Sequence, residues 1–315
     1  MSLNSRPHSS RTIPSRLNPE HKGAFLDALL VSVIVPTLNR PDAMRATLRC
    51  LLSDNYPRLE IILVDQSALP FASSDNRVRV IHVPRPNLPR ARNTGLAAAH
   101  GDIVLFLDDD VTFAPGLVNA HAEAHAAHPD AGCVTGRILL LPPHFWEKEP
   151  QVATLNPLTA KFRANFDWPE EGFVDFPVGC NMSFKREALE KTGLFDGNYA
   201  GNALYEEIDF VLRMKSKGFR VFFSPRAALT HVREEKGGCR SDDDSRYYFI
   251  KFRNTGYFFF KNLFSGTLRP FLKAMRDEIE FYTRTPGGHR WSRAAGYGLG
   301  LLWGAKRGLL KRGLG

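Results

Sequence analysis

Ile103-Val-Leu-Phe-Leu-Asp-Asp-Asp-Val111 decides the fold. Five apolar residues in a row read as a strand buried on both faces, the pattern of a parallel sheet. Asp108, Asp109 and Asp110 follow at once. Three like charges at the end of a buried strand repel and lose hydration, so a counter-charge is required. A hard divalent cation takes carboxylate oxygens readily. Ligands of open α/β sheets bind just beyond the carboxyl ends of the strands. The run therefore predicts a cation-bound, phosphate-bearing ligand at the mouth of a sheet. An exposed acidic turn is the bland alternative.

Outward from this run, strands and helices alternate. Val31–Val35 is a short β-branched run ended by Pro36, hence a first strand. Met44, Leu48, Leu51 and Leu52 recur at helical spacing after Pro41, which suits the opening turn. Further strands are expected at 60–64, 78–83 and 131–141, and helices at 89–100 and 115–128. Such alternation predicts an α/β fold with a doubly wound, mostly parallel sheet flanked by helices. The loops after the strands carry Thr37 and Asn39, then Asp65, then the aspartate triplet, and they can line one cleft. Residues 142–176 break the pattern with proline and aromatics, and a loop this long is usually functional or mobile. Trp146 and Trp168 there offer flat faces for ligand stacking or for core packing. Beyond it, helices are expected at 185–192, 203–217, 245–261 and 267–284, with strands at 220–223 and 227–230.

The chain has 315 residues, enough for one large domain or two small ones, and 43% are hydrophobic. Its charge of +9 sits at the ends: residues 1–22 sum to +3, residues 286–315 to +6, and the body between is neutral. A neutral body excludes a nucleic-acid-coating surface and leaves the basic ends to an anionic membrane or to solvent. Cys50, Cys133, Cys180 and Cys239 show no CxxC spacing, so neither a zinc knuckle nor a redox pair is indicated, and a reducing cytoplasm fits. No apolar run approaches the roughly 20 residues needed to span a bilayer. Leu299, Trp303 and Leu310 share a helical face interrupted by Lys306, which suits either peripheral membrane attachment or packing on the domain. The expected division is a disordered basic tail at 1–28, a main domain at 29–262 and a helical extension at 263–315.

Neither a dinucleotide fingerprint, a P-loop nor a nucleophile elbow is present, so phosphates must be held by metal and basic side chains such as Arg90 and Arg92. A second acidic cluster, Tyr205-Glu-Glu-Ile-Asp-Phe210, puts Glu206 and Asp209 on one helical face and Glu207 on another. His231 ends the strand 227–230, where a neutral imidazole can complete a carboxylate metal site.

Taken in order, these motifs resemble the family 2 glycosyltransferases, inverting enzymes of the GT-A fold. The matching stretches are Val-Ser-Val-Ile-Val-Pro-Thr-Leu-Asn (31–39), Val-Asp-Gln-Ser (64–67), Arg-Ala-Arg-Asn-Thr-Gly (90–95), Leu-Phe-Leu-Asp-Asp-Asp-Val (105–111), Gly-Cys-Asn-Met-Ser-Phe-Lys-Arg (179–186), Gly-Leu-Phe-Asp (193–196), Tyr-Glu-Glu-Ile-Asp-Phe (205–210) and His231. The resemblance covers residues 30–262.

It implies a metal-dependent transfer of a sugar from a nucleotide diphosphate sugar to a hydroxyl of a glycan or lipid-linked acceptor, in cell-surface polysaccharide synthesis; the expected place is the cytoplasm, with the basic C-terminus suiting peripheral contact at the inner face of the plasma membrane. Pro36, Thr37, Asn39, Asp65, Arg92, Asp108, Asp109 and Arg246 would hold the donor, Arg246 as a diphosphate clamp. Asp110 and His231 would bind Mn²⁺ or Mg²⁺. Gly179, Asn181, Met182 and Asp209 would border the sugar or acceptor. The family's Glu-Asp pair is Glu206-Glu207 here, with Glu207 at the position of the general base. Gln66 replaces the second acid of the family's Val-Asp-Asp. Two rivals stand beside this reading: a sugar-nucleotide nucleotidyltransferase, whose glycine-rich loop Pro36-Thr-Leu-Asn-Arg40 lacks, and a non-catalytic nucleotide- or sugar-binding protein.

Overall fold

The computed structural model describes residues 23, 26, 28–140, 151–234, 236–239, 244–284 and 290–311. Most of the expected tail at 1–28, Trp146 and the last four residues lie outside them. Near the tail's end, Leu26 is buried, as is Leu29 beyond it, and the Tyr56 hydroxyl donates to both of their carbonyls.

The first half is a run of βα units: β1 (Val31–Thr37), α1 (Pro41–Ser53), β2 (Leu59–Asp65), β3 (Val78–His82), α2 (Leu88–Ala98) and β4 (Ile103–Leu107). β5 (Val111–Thr112), α3 (Leu117–Ala127) and β6 (Ala131–Leu140) follow. Every residue of β1 and β4 is buried, which is why these strands read as unbroken apolar runs. β1 extends through Pro36 to Thr37 because its register with β2 continues to Asp65.

Next come the short strands β7 (Thr154–Leu155), β8 (Phe162–Arg163) and β9 (Gly172–Val174), then β10 (Asn181–Lys185), α4 (Arg186–Thr192), α5 (Glu206–Lys215) and β11 (Arg220–His231). The segment after 150, expected to be loop, thus carries three short strands. Trp168 packs against the core there. The two strands expected at 220–230 are one strand with a bulge: its register against β6 shifts between Ser224 and Leu229.

The main sheet runs β3-β2-β1-β4-β10-β6-β11-β5, with β9 also on β11. β1 to β4 are parallel; β10 enters antiparallel between β4 and β6. The strand order reverses at β1, flanked by β2 and β4, and a ligand crevice is expected beyond their carboxyl ends. Thr37 and Asp108 sit there.

α6 (Asp244–Phe258) passes into a π-helical turn at Phe259–Leu263, followed by α7 (Arg269–Arg284) and α8 (Arg290–Lys311). α8 packs backbone to backbone on α6: a Cβ at Gly304 would lie 2.1 Å from the Arg253 carbonyl oxygen. Trp303 is half-buried between the Arg253 and Arg307 guanidinium groups, while Leu299, Leu302 and Leu310 face outward with Lys306. No helix among the described residues is long and apolar enough to cross a membrane.

Candidate active site

β4 delivers the aspartate triplet to the crevice, and β11 delivers His231. The two meet because β5 pairs antiparallel with the end of β11, Val111 opposite His231. His231 Nε2 lies 3.0 Å from Asp110 Oδ1. Donor atoms of Asp108, Asp110 and His231 all fall within 4.8 Å of one another. Two carboxylates and an imidazole suit Mn²⁺ or Mg²⁺ in kind and spacing. Asp108 thus joins the expected pair Asp110 and His231.

The three acids are balanced unequally. Burial would raise Asp110, but the His231 hydrogen bond, with Arg40, outweighs it and holds Asp110 below the usual carboxylate range. Burial pushes Asp109 up to about 6, against the pull of Thr37 and Arg40. The Thr37 hydroxyl donates to Asp109 Oδ2 at 2.6 Å. Burial also raises Asp108, opposed by Arg92.

Arg40 is the residue that the sequence reading missed. Its Nη1 donates to Asp109 Oδ1 and Asp110 Oδ2, both at 3.0 Å, and its Nε and Nη2 donate to the Lys236 and Glu234 carbonyls. The signal was available: three acids need a counter-charge, and Arg40 precedes the helix after the neighbouring strand.

Two cavities meet at this triad. The larger, about 570 Å³, is lined by Pro36, Thr37, Arg40, Gln66, Asp109, Asp110, Cys239 and Arg246 among others. The smaller, about 300 Å³, is lined by Arg92, Phe166, Gly179, Cys180, Glu206, Glu207 and Arg233 among others. Leu88, Asp108, Asn202 and His231 border both.

In the smaller cavity Arg92 is buried, forms an ion pair with Glu206 and donates to the Gly179 carbonyl at 3.0 Å. Only glycine permits that approach, since a Cβ at 179 would lie 2.7 Å from Arg92 Nη2. Arg92 therefore borders the smaller cavity, not the larger one. Glu207 is half-buried and faces the cavity; burial raises its carboxyl, opposed by Arg92. α5 starts abruptly at Glu206 because Ala203 and Tyr205 take positive φ, 50° and 74°. Tyr205 is anchored there by its hydroxyl on the Ala160 carbonyl and by its ring on Phe258.

Five expected ligand contacts are absent from both cavity walls. The Asp65 carboxylate accepts from the Ser67 and Phe71 backbone N–H groups and is fully buried; its neighbour Gln66 reaches the cavity instead. Asn39 bonds into the same turn, its N–H to Ser67 Oγ and its Oδ1 from Ala68 N. Asn181 and Met182 are buried in β10, behind the wall that Gly179 and Cys180 form. Asp209 is buried against Tyr199, Lys261, Asn262 and Arg213. Phe166, not Trp168, is the aromatic on the smaller cavity.

The family model for glycosyl transferase family 2 matches residues 32–193. The chain belongs to glycosyl transferase family 2. Among curated relatives, the glucosyl-dolichyl phosphate glucuronosyltransferase of Haloferax volcanii is 25% identical over 64% of this chain and 68% of its own length. The chondroitin synthase of Pasteurella multocida is 28% identical over 61% of this chain and 24% of its own. The chain thus spans about a quarter of that synthase, and likewise 26% of an uncharacterized Sinorhizobium fredii protein to which it is 27% identical over 70% of its own length. Among solved structures, S. aureus TarS 1-349 superposes with a TM-score of 0.54 at 14% identity, covering 87% of this chain and 81% of that one. The Pyrobaculum calidifontis mannosyltransferase in complex with GDP-Man and Mn²⁺ superposes with a TM-score of 0.50 at 19% identity, covering 86% and 74%. The fold of this family 2 member is GT-A.

Proposed function

We propose that this glycosyltransferase moves a sugar from a nucleoside diphosphate donor to an acceptor hydroxyl with inversion at the anomeric carbon. The observation that carries the reading is the pair of cavities sharing Asp108 and His231, with Glu207 in the smaller one. The nucleotide would occupy the larger cavity, with Arg246 beside its diphosphate, and the sugar and acceptor would meet in the smaller. Asp108, Asp110 and His231 would hold Mn²⁺ or Mg²⁺, whose Lewis acidity stabilises a departing diphosphate. Glu207 takes the proton of the acceptor O–H as that oxygen bonds to the anomeric carbon. The bond to the diphosphate oxygen breaks on the opposite face. Arg92 keeps Glu206 occupied, which leaves Glu207 as the available base.

The names of relatives, among them a chondroitin synthase and a succinoglycan biosynthesis protein of Rhizobium meliloti, favour a polysaccharide or lipid-linked acceptor. The outward leucines of α8 beside Lys306 and Arg307 fit transient contact with an anionic membrane surface. Failure to co-sediment with anionic vesicles would remove that part of the reading.

The first test is a thermal-shift panel of UDP, GDP, dTDP and CMP, each with and without Mn²⁺. A ligand that binds the folded state raises the melting temperature by mass action. A metal-dependent shift with one diphosphate is expected and names the donor class. No shift with any of them would overturn the donor-site reading.

A further inference from the structure

Behind the cavity wall a buried polar chain runs from α3 through β10 to β11. Asn181 and Ser183 share one face of β10, as residues two apart on a strand do. His121 and His125 share one face of α3. All four are buried. Burial lowers His121 to about 4 and His125 well below the ordinary histidine value, so both rings are neutral and each carries one N–H.

The hydrogen bonds then have one consistent direction. Asn181 Nδ2 lies 2.8 Å from the Ala227 carbonyl and 3.4 Å from that of Arg137, so it is the donor end of the amide. Its Oδ1 accepts from His121 Nε2 at 2.8 Å. His121 Nδ1, left without a proton, accepts from the Ser183 hydroxyl at 2.9 Å. Ser183 Oγ in turn accepts from His125 Nε2 at 2.9 Å.

The Ala227 carbonyl at the end of this chain belongs to the β11 bulge. Ser224 pairs with Gly136 and the register resumes at Leu229 opposite Ile138, so residues 225–228 face Arg137 alone. Gly136 makes room: a Cβ there would lie 1.9 Å from the Ala227 oxygen and 2.2 Å from Asn181 Nδ2. Past the bulge, His231 pairs with Leu140 and Val111. One residue more or fewer in the bulge would turn His231 to the other face of the sheet.

We infer that Asn181 is a positioning residue: its amide, oriented by His121, Ser183 and His125, pins the β11 bulge and so sets His231 beside Asp108 and Asp110. This rests on the reading of that triad as a metal site. Partners that orient metal ligands typically contribute about 10–100-fold in affinity.

The test measures Mn²⁺ binding by titration calorimetry, independently of transfer. Asn181→Asp, which turns a carboxylate oxygen on the Ala227 carbonyl, is expected to weaken binding by about 10–100-fold. His121→Leu, which frees the amide to turn over, is expected to weaken it in the same direction. His121→Gln keeps an N–H toward Asn181 and should restore most of the affinity. If folded Asn181→Asp and His121→Leu bind Mn²⁺ as the wild type does, the inference is overturned. Should Asn181→Asp not fold, the two His121 variants carry the test. If the wild type itself binds no Mn²⁺, the metal reading fails, and a crystal structure of His121→Leu decides the positioning claim. Loss of the His231–Asp110 contact upholds it; an unchanged contact overturns it.

Discussion

Two acidic clusters at the candidate site, Asp108–Asp110 and Glu206–Asp209, hold three carboxylates each and use them differently. The first stands at a strand end, where the chain turns and all three acids border the larger cavity. The second opens a helix, which rotates each residue about 100° from the last and disperses the acids. Glu206 and Glu207 both border the smaller cavity, Glu206 paired with Arg92 and Glu207 half-buried beside it, while Asp209 is fully buried against Lys261 and Asn262. Equal counts of carboxylate thus give, in one place, two candidate metal ligands and an acid held by Thr37 and Arg40 and, in the other, two ion-paired acids and one candidate base.

The largest effect expected from this contrast is at Glu207. Glu207→Gln keeps the volume and removes the base. It should reduce transfer by about 10²–10⁴-fold while the donor-induced thermal shift persists. Release of nucleoside diphosphate with the donor selected by the panel is the readout. If Glu206→Gln abolishes transfer and Glu207→Gln does not, the division within the second cluster is reversed.

Asp209 should behave in the opposite way. Its carboxylate sits 2.6 Å from Lys261 Nζ and accepts from Tyr199 and Asn262, tying α5 to the π-helical turn. Removing it strips Tyr199 and Asn262 of their buried acceptor, while Lys261 keeps Asp196 at 2.7 Å, so the cost is that of unsatisfied buried polar groups, about 1–3 kcal/mol. Asp209→Ala should therefore lower stability to urea by that order while the folded fraction still binds nucleotide. A stable Asp209→Ala that loses only transfer would return Asp209 to the cavity and break the comparison.

The sequence carried the first half of the molecule well and the second half unevenly, for one physical reason. β1 and β4 are buried on both faces, so their apolar runs name them directly, and the acids that follow can only lie at the crevice. His231 was legible as a strand-end imidazole. Asn181 and Asp209 lie in motifs as suggestive as the triplet, but a polar side chain in a motif reads the same whether it faces ligand or buried protein. Only the partners decide: the Ala227 carbonyl and His121 for one, Lys261 for the other. Arg40 was passed over because its contacts span some 70 residues of sequence, to Asp109 and Asp110. Asp65 misled because its turn takes both its oxygens, a local arrangement that spacing does not reveal.

A pH profile sharpens the comparison by the smallest steps. Burial raises Glu207, and the protonated form cannot accept the acceptor's proton. With donor and Mn²⁺ saturating, a bound cation would hold Asp108 and Asp110 ionised, even though burial alone raises Asp108. The rate should then rise with pH along one limb and level off above the Glu207 pKa. Below that point it should fall about tenfold per pH unit, with a midpoint above the ordinary glutamate value of about 4.3. The residual rate of Glu207→Gln should be flat across the same interval. A limb that survives in Glu207→Gln would assign the titration to another group, and with it the proton transfer.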